Sequence, residues 1–405
     1  MLIFCDSFDT YNSIPQKYDS NGGPPTIGTA YARTGRNGML CSTGGGAVFA
    51  GKNFSSRSSF VIGFAINCQV INVCAPFLIY DSGSVQITLT IDLSGTVKVY
   101  RGYPSAFGGA GTVLGTGSSI ISPLNAWHYL ETKVVISTTV GTVDVHLDGV
   151  SILSLTGQNT QATSNATWNQ VSIGLPAPAG SNTVYVDDFY LCDTTGSFNN
   201  TFLGDVSILA RLPSGNGTLN NFTNVFASYA TGAYAVGATI KDSNGNVQEC
   251  STAGTASTGS PTWATTGGST TSVGGGCVFT CVGTGSNPGA QNWMAVQEYP
   301  PDDNSSYVTD ATVSDQDRYT YPSVAGSAVK AVVVNVRAEK DDSAARSIRM
   351  VAKSGATVVD NGTDFALTLN TYADFQGVFE TDPNTSVAWT VSGVNAAEFG
   401  VKTTV

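Results

Sequence analysis

Val85-Gln86-Ile87-Thr88-Leu89-Thr90-Ile91-Asp92-Leu93, followed by Ser94-Gly95 and Val97-Lys98-Val99-Tyr100, decides the fold class. Apolar side chains at 85, 87, 89, 91 and 93 alternate with polar ones, the period of a strand with one buried face. Ser94-Gly95 supplies a turn, so the two runs are predicted to form a hairpin. A second hairpin is read from Leu130–Ile136 and Val143–Leu147, with Asp148-Gly149 turning into Val150–Leu153. The run 183–192 adds one more strand. Composition agrees: 46 of the 405 residues are Gly, only 12% are charged, and just six of the 29 acidic residues are Glu. Asp favours turns and caps where Glu favours helix interiors. The expected architecture is all-β, with an N-terminal jelly-roll sandwich over residues 1–195. A helical bundle and a disordered chain are both excluded.

A net charge of -11 with only 18 Lys and Arg offers no basic stripe to neutralise phosphates, so nucleic acid is not an expected partner. An anionic membrane surface is an equally poor one. No apolar run reaches the roughly 20 residues that span a bilayer. The opening Met1-Leu2-Ile3-Phe4-Cys5-Asp6 has no basic n-region, so no signal peptide is expected.

Around residue 225 the texture changes, and 251–276 is almost all Ser, Thr, Gly and Ala around a single Trp263. We read 196–224 as a linker and the first part of a C-terminal β-sandwich, 225–283 as a small inserted β-module, and 284–405 as the rest of that sandwich. Its strands are expected at Ala331–Arg337, Ser347–Val351 and Trp389–Val391. Acidity concentrates there, with 15 acidic against 8 basic residues.

Five groups of residues carry candidate chemistry. Asp187-Asp188 interrupts an apolar strand, so at least one carboxylate faces the core. A buried carboxylate must be hydrogen-bonded or ligate a cation, and Ca²⁺ is the ion such oxygens suit. The alternative is a carboxylate that accepts backbone N–H bonds and pins the sandwich. Trp263 and Tyr234 offer flat faces for a sugar ring, with Asn244 and Gln248 as hydroxyl partners; the alternative is that a small module needs both rings for its own core. Cys5, Cys41, Cys68, Cys74, Cys192, Cys250, Cys277 and Cys281 are either buried thiols or disulfide formers. Cys277 and Cys281, about 13 Å apart along one strand, cannot bond each other, so each would need a partner on another strand or chain. His128 and His146, the only histidines, stand next to no nucleophile motif, and six Glu leave little for a glycosidase pair; catalysis is not expected. Asp302-Asp303 and Lys340-Asp341-Asp342 read as solvated turns.

Several of these stretches resemble tailed-bacteriophage virion structural proteins with laminin-G-like, concanavalin-A-like jelly rolls. The residues that carry the resemblance are Phe8-Asp9-Thr10-Tyr11, Trp127–Lys133, Val143–Gly149 and Val186–Tyr190 in the first half. It continues through Cys192–Gly196, Phe202–Val206, Glu298–Asp303, Lys340–Asp342, Arg346–Arg349, Glu380–Pro383 and Val394–Val401. Ala233–Gly237, Asp242–Gln248 and Pro261–Ala264 resemble small phage modules akin to chitin-binding carbohydrate modules, although Phe226 and Phe279 stand where those often carry Trp. The resemblance implies a structural protein of the head surface, collar, tail or fibre, made in the host bacterial cytoplasm and located in the virion. Its implied partners are other virion proteins and further copies of itself, a trimer by analogy with phage fibres. A lectin-like protein that adsorbs to host surface glycan is the alternative, and a polysaccharide depolymerase a third reading. The resemblance implies no cofactor, and the Ca²⁺ reading rests on Asp187-Asp188 alone.

Overall fold

In the computed structural model, which describes residues 1–284 and 292–405, the 85–100 stretch forms the expected hairpin. Leu89 lies opposite Val99, and Ile91 opposite Val97. Asp92 builds the turn: its Oδ1 accepts the Ser94 and Thr96 N–H groups at 3.0 Å each, and Gly95 adopts a φ of 78°. Two residues leave the alternation. Leu93 falls in the turn and is 70% exposed. Pairing with the preceding strand slips between Ile79 and Tyr80, so Gln86 is an extra residue and Val85 joins Tyr80 on the outer face.

Residues Met1–Ala210 form one unit and Arg211–Val405 another. The first contains β1 (Leu2–Asp6), β2 (Ser20–Asn21), β3 (Thr26–Gly28), β4 (Gly38–Thr43), β5 (Val48–Arg57), β6 (Ser59–Val70), β7 (Val73–Asp81) and β8 (Ser84–Asp92). It continues with β9 (Thr96–Arg101), β10 (Thr112–Ile120), β11 (Trp127–Val135), β12 (Gly141–Leu147), β13 (Val150–Gln158), β14 (Trp168–Ala179) and β15 (Asn182–Cys192). One sheet runs β13-β12-β11-β6-β15-β4-β3, with β1 on β15; the other runs β10-β9-β8-β7-β14-β5-β2. Strands distant in sequence sit side by side, which makes this a jelly-roll sandwich rather than a meander. The inner faces meet through aromatics: Phe77 of β7 lies edge-on to Phe60 and Phe64 of β6, at 6.4 and 6.2 Å. Trp168 packs on Phe60 at 5.9 Å, and its indole N–H donates to the Ser59 carbonyl at 2.8 Å.

Residues 196–210, read from sequence as the start of a linker, instead complete this unit. Their backbone supplies further donors to buried acids: Gly204 N–H reaches Glu131 at 2.9 Å and Ile208 N–H reaches Asp188 at 2.7 Å.

In the second unit a sheet orders strands Gly215–Asn220, Gln316–Thr320, Glu398–Thr403, Ser347–Ser354 and Thr357–Asp360. The pair Val332–Ala338 and Ala373–Phe379 packs on it through Val334, Met350, Phe379, Trp389 and Phe399. Trp389, expected in a strand, instead precedes the short helix Val391–Ala396, whose N-terminus Thr390 caps through its side chain. The small β-module lies between strands Thr223–Phe226 and Ser306–Thr309, which pair with each other. Its sheet orders Thr239–Lys241, Asn246–Thr252, Val278–Thr284 and Thr270–Ser272, over a core of its own built on Ile240, Trp263, Val273 and Phe279.

Candidate functional site

Asp187 and Asp188 are both fully buried near the middle of β15. Asp188 has a φ of 49°, and the pairing with β6 shifts between Asp187 and Tyr190; this irregularity brings both carboxylates under the loop that precedes β4. Asp187 accepts the N–H groups of Arg33 at 2.7 Å, Thr34 at 3.1 Å and Asp188 at 2.7 Å. Asp188 accepts from the Thr34 hydroxyl at 2.8 Å, Ile208 N–H at 2.7 Å and the Arg33 guanidinium at 3.3 Å. All four carboxylate oxygens therefore face donors, and Arg33 supplies the positive charge. Burial and the charge of Asp188 push Asp187 up to about 8, against the pull of the three N–H groups. The surroundings expected of a Ca²⁺ site are absent here, because N–H groups and a guanidinium take up the oxygens. The pair is a loop anchor. Among the described residues no group of three or more His, Cys, Asp or Glu is placed to hold a metal.

Other buried ionisable groups in this unit follow the same pattern. Asp6 accepts from Lys17 Nζ at 2.8 Å, from the Tyr11 hydroxyl at 2.5 Å, from the Tyr18 hydroxyl at 2.9 Å and from Phe8 N–H at 3.0 Å. Glu131 is joined by the Tyr190 hydroxyl, which in turn accepts Leu203 N–H at 3.1 Å. Asp9 receives Arg36 and Asn37 N–H groups at 2.6 Å each. His128 bridges Asp148 at 2.7 Å and the Pro123 carbonyl at 3.0 Å, while His146 rests against Phe202 with ring centroids 4.1 Å apart. Each acid or imidazole ties a loop to the sandwich.

The predicted sugar platform of the module is taken up by packing. Trp263 is only 6% exposed and meets Tyr229 at 4.9 Å and Phe279 at 5.7 Å, both edge-to-face. Tyr234 packs on Phe279 at 5.0 Å, and its hydroxyl is bound to the Ala230 backbone. Gln248 is fully buried, donating to Asp242 at 2.7 Å and the Ala264 carbonyl at 2.8 Å. Asn244 alone of the four is exposed, in the Asp242 turn. A core with so few large side chains claims Trp263, so that ring and Gln248 offer no face to solvent, while Tyr234 is half-buried.

Cys41, Cys68, Cys74, Cys192, Cys250, Cys277 and Cys281 are buried and Cys5 is half-buried, all as thiols. Burial pushes Cys5 and Cys68 up to about 12 and Cys41 higher still, so they behave as small apolar groups. In the second unit, Asp303 grips Arg337 through both oxygens at 2.6 and 2.9 Å, and Asp342 holds Arg346 at 2.6 Å. These turns are ion-paired rather than merely solvated. Glu298 is tied to the Ser306 hydroxyl at 2.7 Å, and burial pushes it up to about 7.

One surface escaped the sequence reading. On the outer face of the seven-stranded sheet, cross-strand pairing aligns Gly51, Ser172, Leu78, Thr88 and Tyr100 in one row. Half-buried Tyr80, Tyr103 and Phe107 stand over it, on Leu78, Ala75 and Ala177. The bulge at Gln86 hides this face from a strict alternation count. Tyr103 and Phe107 arrive on the loop after β9, outside any periodic run.

No protein-family model and no curated protein matches the chain. Solved structures resemble it in part. An endo-β-1,4-glucuronan lyase from the fungus Trichoderma reesei aligns over 47% of this chain and 95% of its own, with 12% identity and a TM-score of 0.36. The alginate lyase Aly36B aligns over 47% and 96%, with 10% identity and a TM-score of 0.33. A SAP-like pentraxin from Limulus polyphemus aligns over 34% and 65%, with 12% identity and a TM-score of 0.26. Likeness at this level assigns no activity to this chain.

Proposed function

We propose that the chain is a structural component of a tailed-phage virion that works by association rather than by catalysis. The sequence resemblance, spread in order over both units, suggests the setting. The structural observation that supports it is the use of buried charge: Asp6, Asp9, Glu131, Asp187 and Asp188 all tie loops to the sandwich. A scaffold pinned at so many loops suits a part that must present a fixed surface to neighbouring virion proteins and to copies of itself. The test is quantitative mass spectrometry of gradient-purified particles. A fixed copy number per particle supports the proposal, a high one meaning head decoration and a low one collar, tail or fibre. Absence from particles overturns it.

A second reading, adsorption to host glycan, moves from the module to the outer sheet face. Tyr80, Tyr103 and Phe107 present partly exposed rings above an apolar floor of Ala75, Leu78 and Ala177, and such ring faces stack on the C–H face of a sugar ring. Loss of cell binding on Tyr103→Ala with melting unchanged favours this reading; unchanged binding removes it.

A further inference from the structure

Two thiols of the inserted module face each other. The Sγ atoms of Cys250 and Cys277 lie 3.9 Å apart, both fully buried in the module core beside Trp263, Val273 and Phe279. Cys250 sits within strand Asn246–Thr252, and Cys277 immediately precedes strand Val278–Thr284. The ladder between them shifts register from Cys250 opposite Phe279 to Thr252 opposite Val278, which carries Cys277 past the end of the strand toward Cys250. Two backbone features hold it there. Gly274, Gly275 and Gly276 take φ values of 84°, 56° and 78°, a run of left-handed residues that turns the chain so that Val273 N–H bonds the Cys277 carbonyl at 3.0 Å. Gly254 leaves room on the other side: a Cβ there would lie 2.6 Å from the Cys277 nitrogen.

We propose that Cys250 and Cys277 form a disulfide when the protein meets an oxidising environment. A bonded pair needs its sulfurs roughly 2.0 Å apart, so closure brings these two about 1.9 Å nearer. With hydrogen peroxide as oxidant, one sulfur attacks a peroxide oxygen. The O–O bond breaks, water leaves and a sulfenic acid forms. The second sulfur then attacks the first, the S–O bond breaks, and hydroxide departs with the second thiol's proton as a second water. Two thiols lose two electrons and two protons, and the peroxide is reduced to two waters. The linkage staples a module whose buried core is small. It stands apart from the proposed function, since it rests on geometry within the module alone.

The experiment uses the full chain, purified under reductant and then exposed to hydrogen peroxide in native buffer. Remaining thiols are alkylated, the protein is digested without reduction, and cross-linked peptides are sequenced. The expected product joins residue 250 to residue 277, with amide exchange in the module slowed at least tenfold. Cys250→Ser abolishes both changes; because the linkage is mapped in the unaltered chain, the conclusion does not hang on whether that variant folds. A different pairing, or both thiols still open to alkylation after oxidation and subsequent unfolding, overturns the proposal.

Discussion

Trp263→Ala separates a core ring from a ligand platform. The indole is 6% exposed and contacts Tyr229 and Phe279 edge-on. A Trp side chain buries on the order of 200 Å², which at about 25 cal/mol per Å² is worth ~5 kcal/mol. Truncating a core Trp to Ala costs about 3–5 kcal/mol. A module of about 60 residues at roughly 0.1 kcal/mol per residue holds only ~6 kcal/mol in all. The substitution therefore removes at least about half of the module's stability, and 3 kcal/mol alone is more than a hundredfold in the opening equilibrium by the ~1.4 kcal/mol per decade rule. Hydrogen exchange of the full chain, followed by mass spectrometry, reads this locally. Amides in strands Asn246–Thr252 and Val278–Thr284 should lose at least about a hundredfold in protection. Those of strands Ser59–Val70 and Ser84–Asp92, in the other unit, should not change. Intact protection in the module together with lost binding to host cells would refute the core assignment and restore Trp263 as a sugar platform.

Two further predictions follow from the acids. A chelator should leave the melting temperature of the chain unchanged, whereas Arg33→Ala should lower the stability of the first unit by about 3 kcal/mol, because it strips the cation from buried Asp188; calorimetry with and without EDTA measures both, and a chelator-induced drop would revive the calcium site. Glu298, raised to about 7 by burial, favours the folded state while protonated, so its contribution is complete below about 4.5 and fades as pH rises through 7. Melting curves between those limits should flatten in Glu298→Gln, and a steeper pH dependence in the variant would contradict this.

Strand alternation made the first unit legible, because the apolar inner face imposes period two on β8, β11 and β12, even though Thr88, Thr90 and Glu131 on the opposite face are buried as well. It failed where pairing slips: Val85 sits across a bulge, and Leu93 lies past the strand end. The Asp187-Asp188 doublet announced buried carboxylates, but its partners lie some 150 positions away at Arg33 and Thr34, a distance no local pattern spans. Trp263 stood out for its isolation in sequence, yet isolation does not distinguish a lone core ring from a lone binding ring. Its neighbours Tyr229 and Phe279 decide that, and only the fold brings them together. The pairing of Cys250 with Cys277 depends in the same way on register and on three left-handed glycines.

The paired strands that bracket the module also bear on how such a chain can vary. Phe226 lies opposite Ser306, and Ala227 N–H bonds the Ser305 carbonyl at 2.6 Å, while Asn292 on the way back bonds the Phe222 carbonyl at 2.8 Å and Asp317 at 2.6 Å. Lengthening a closure from about ten to about 80 residues adds only ~1.8 kcal/mol, and a segment that folds on its own adds less. The module that ends with strand Val278–Thr284 is thus the variable part, while Asn292–Ala295 stays with the host. The module is open to replacement or enlargement while the host ladder keeps its register, provided the side chains under Phe226, those of Val247 and Val282, are kept.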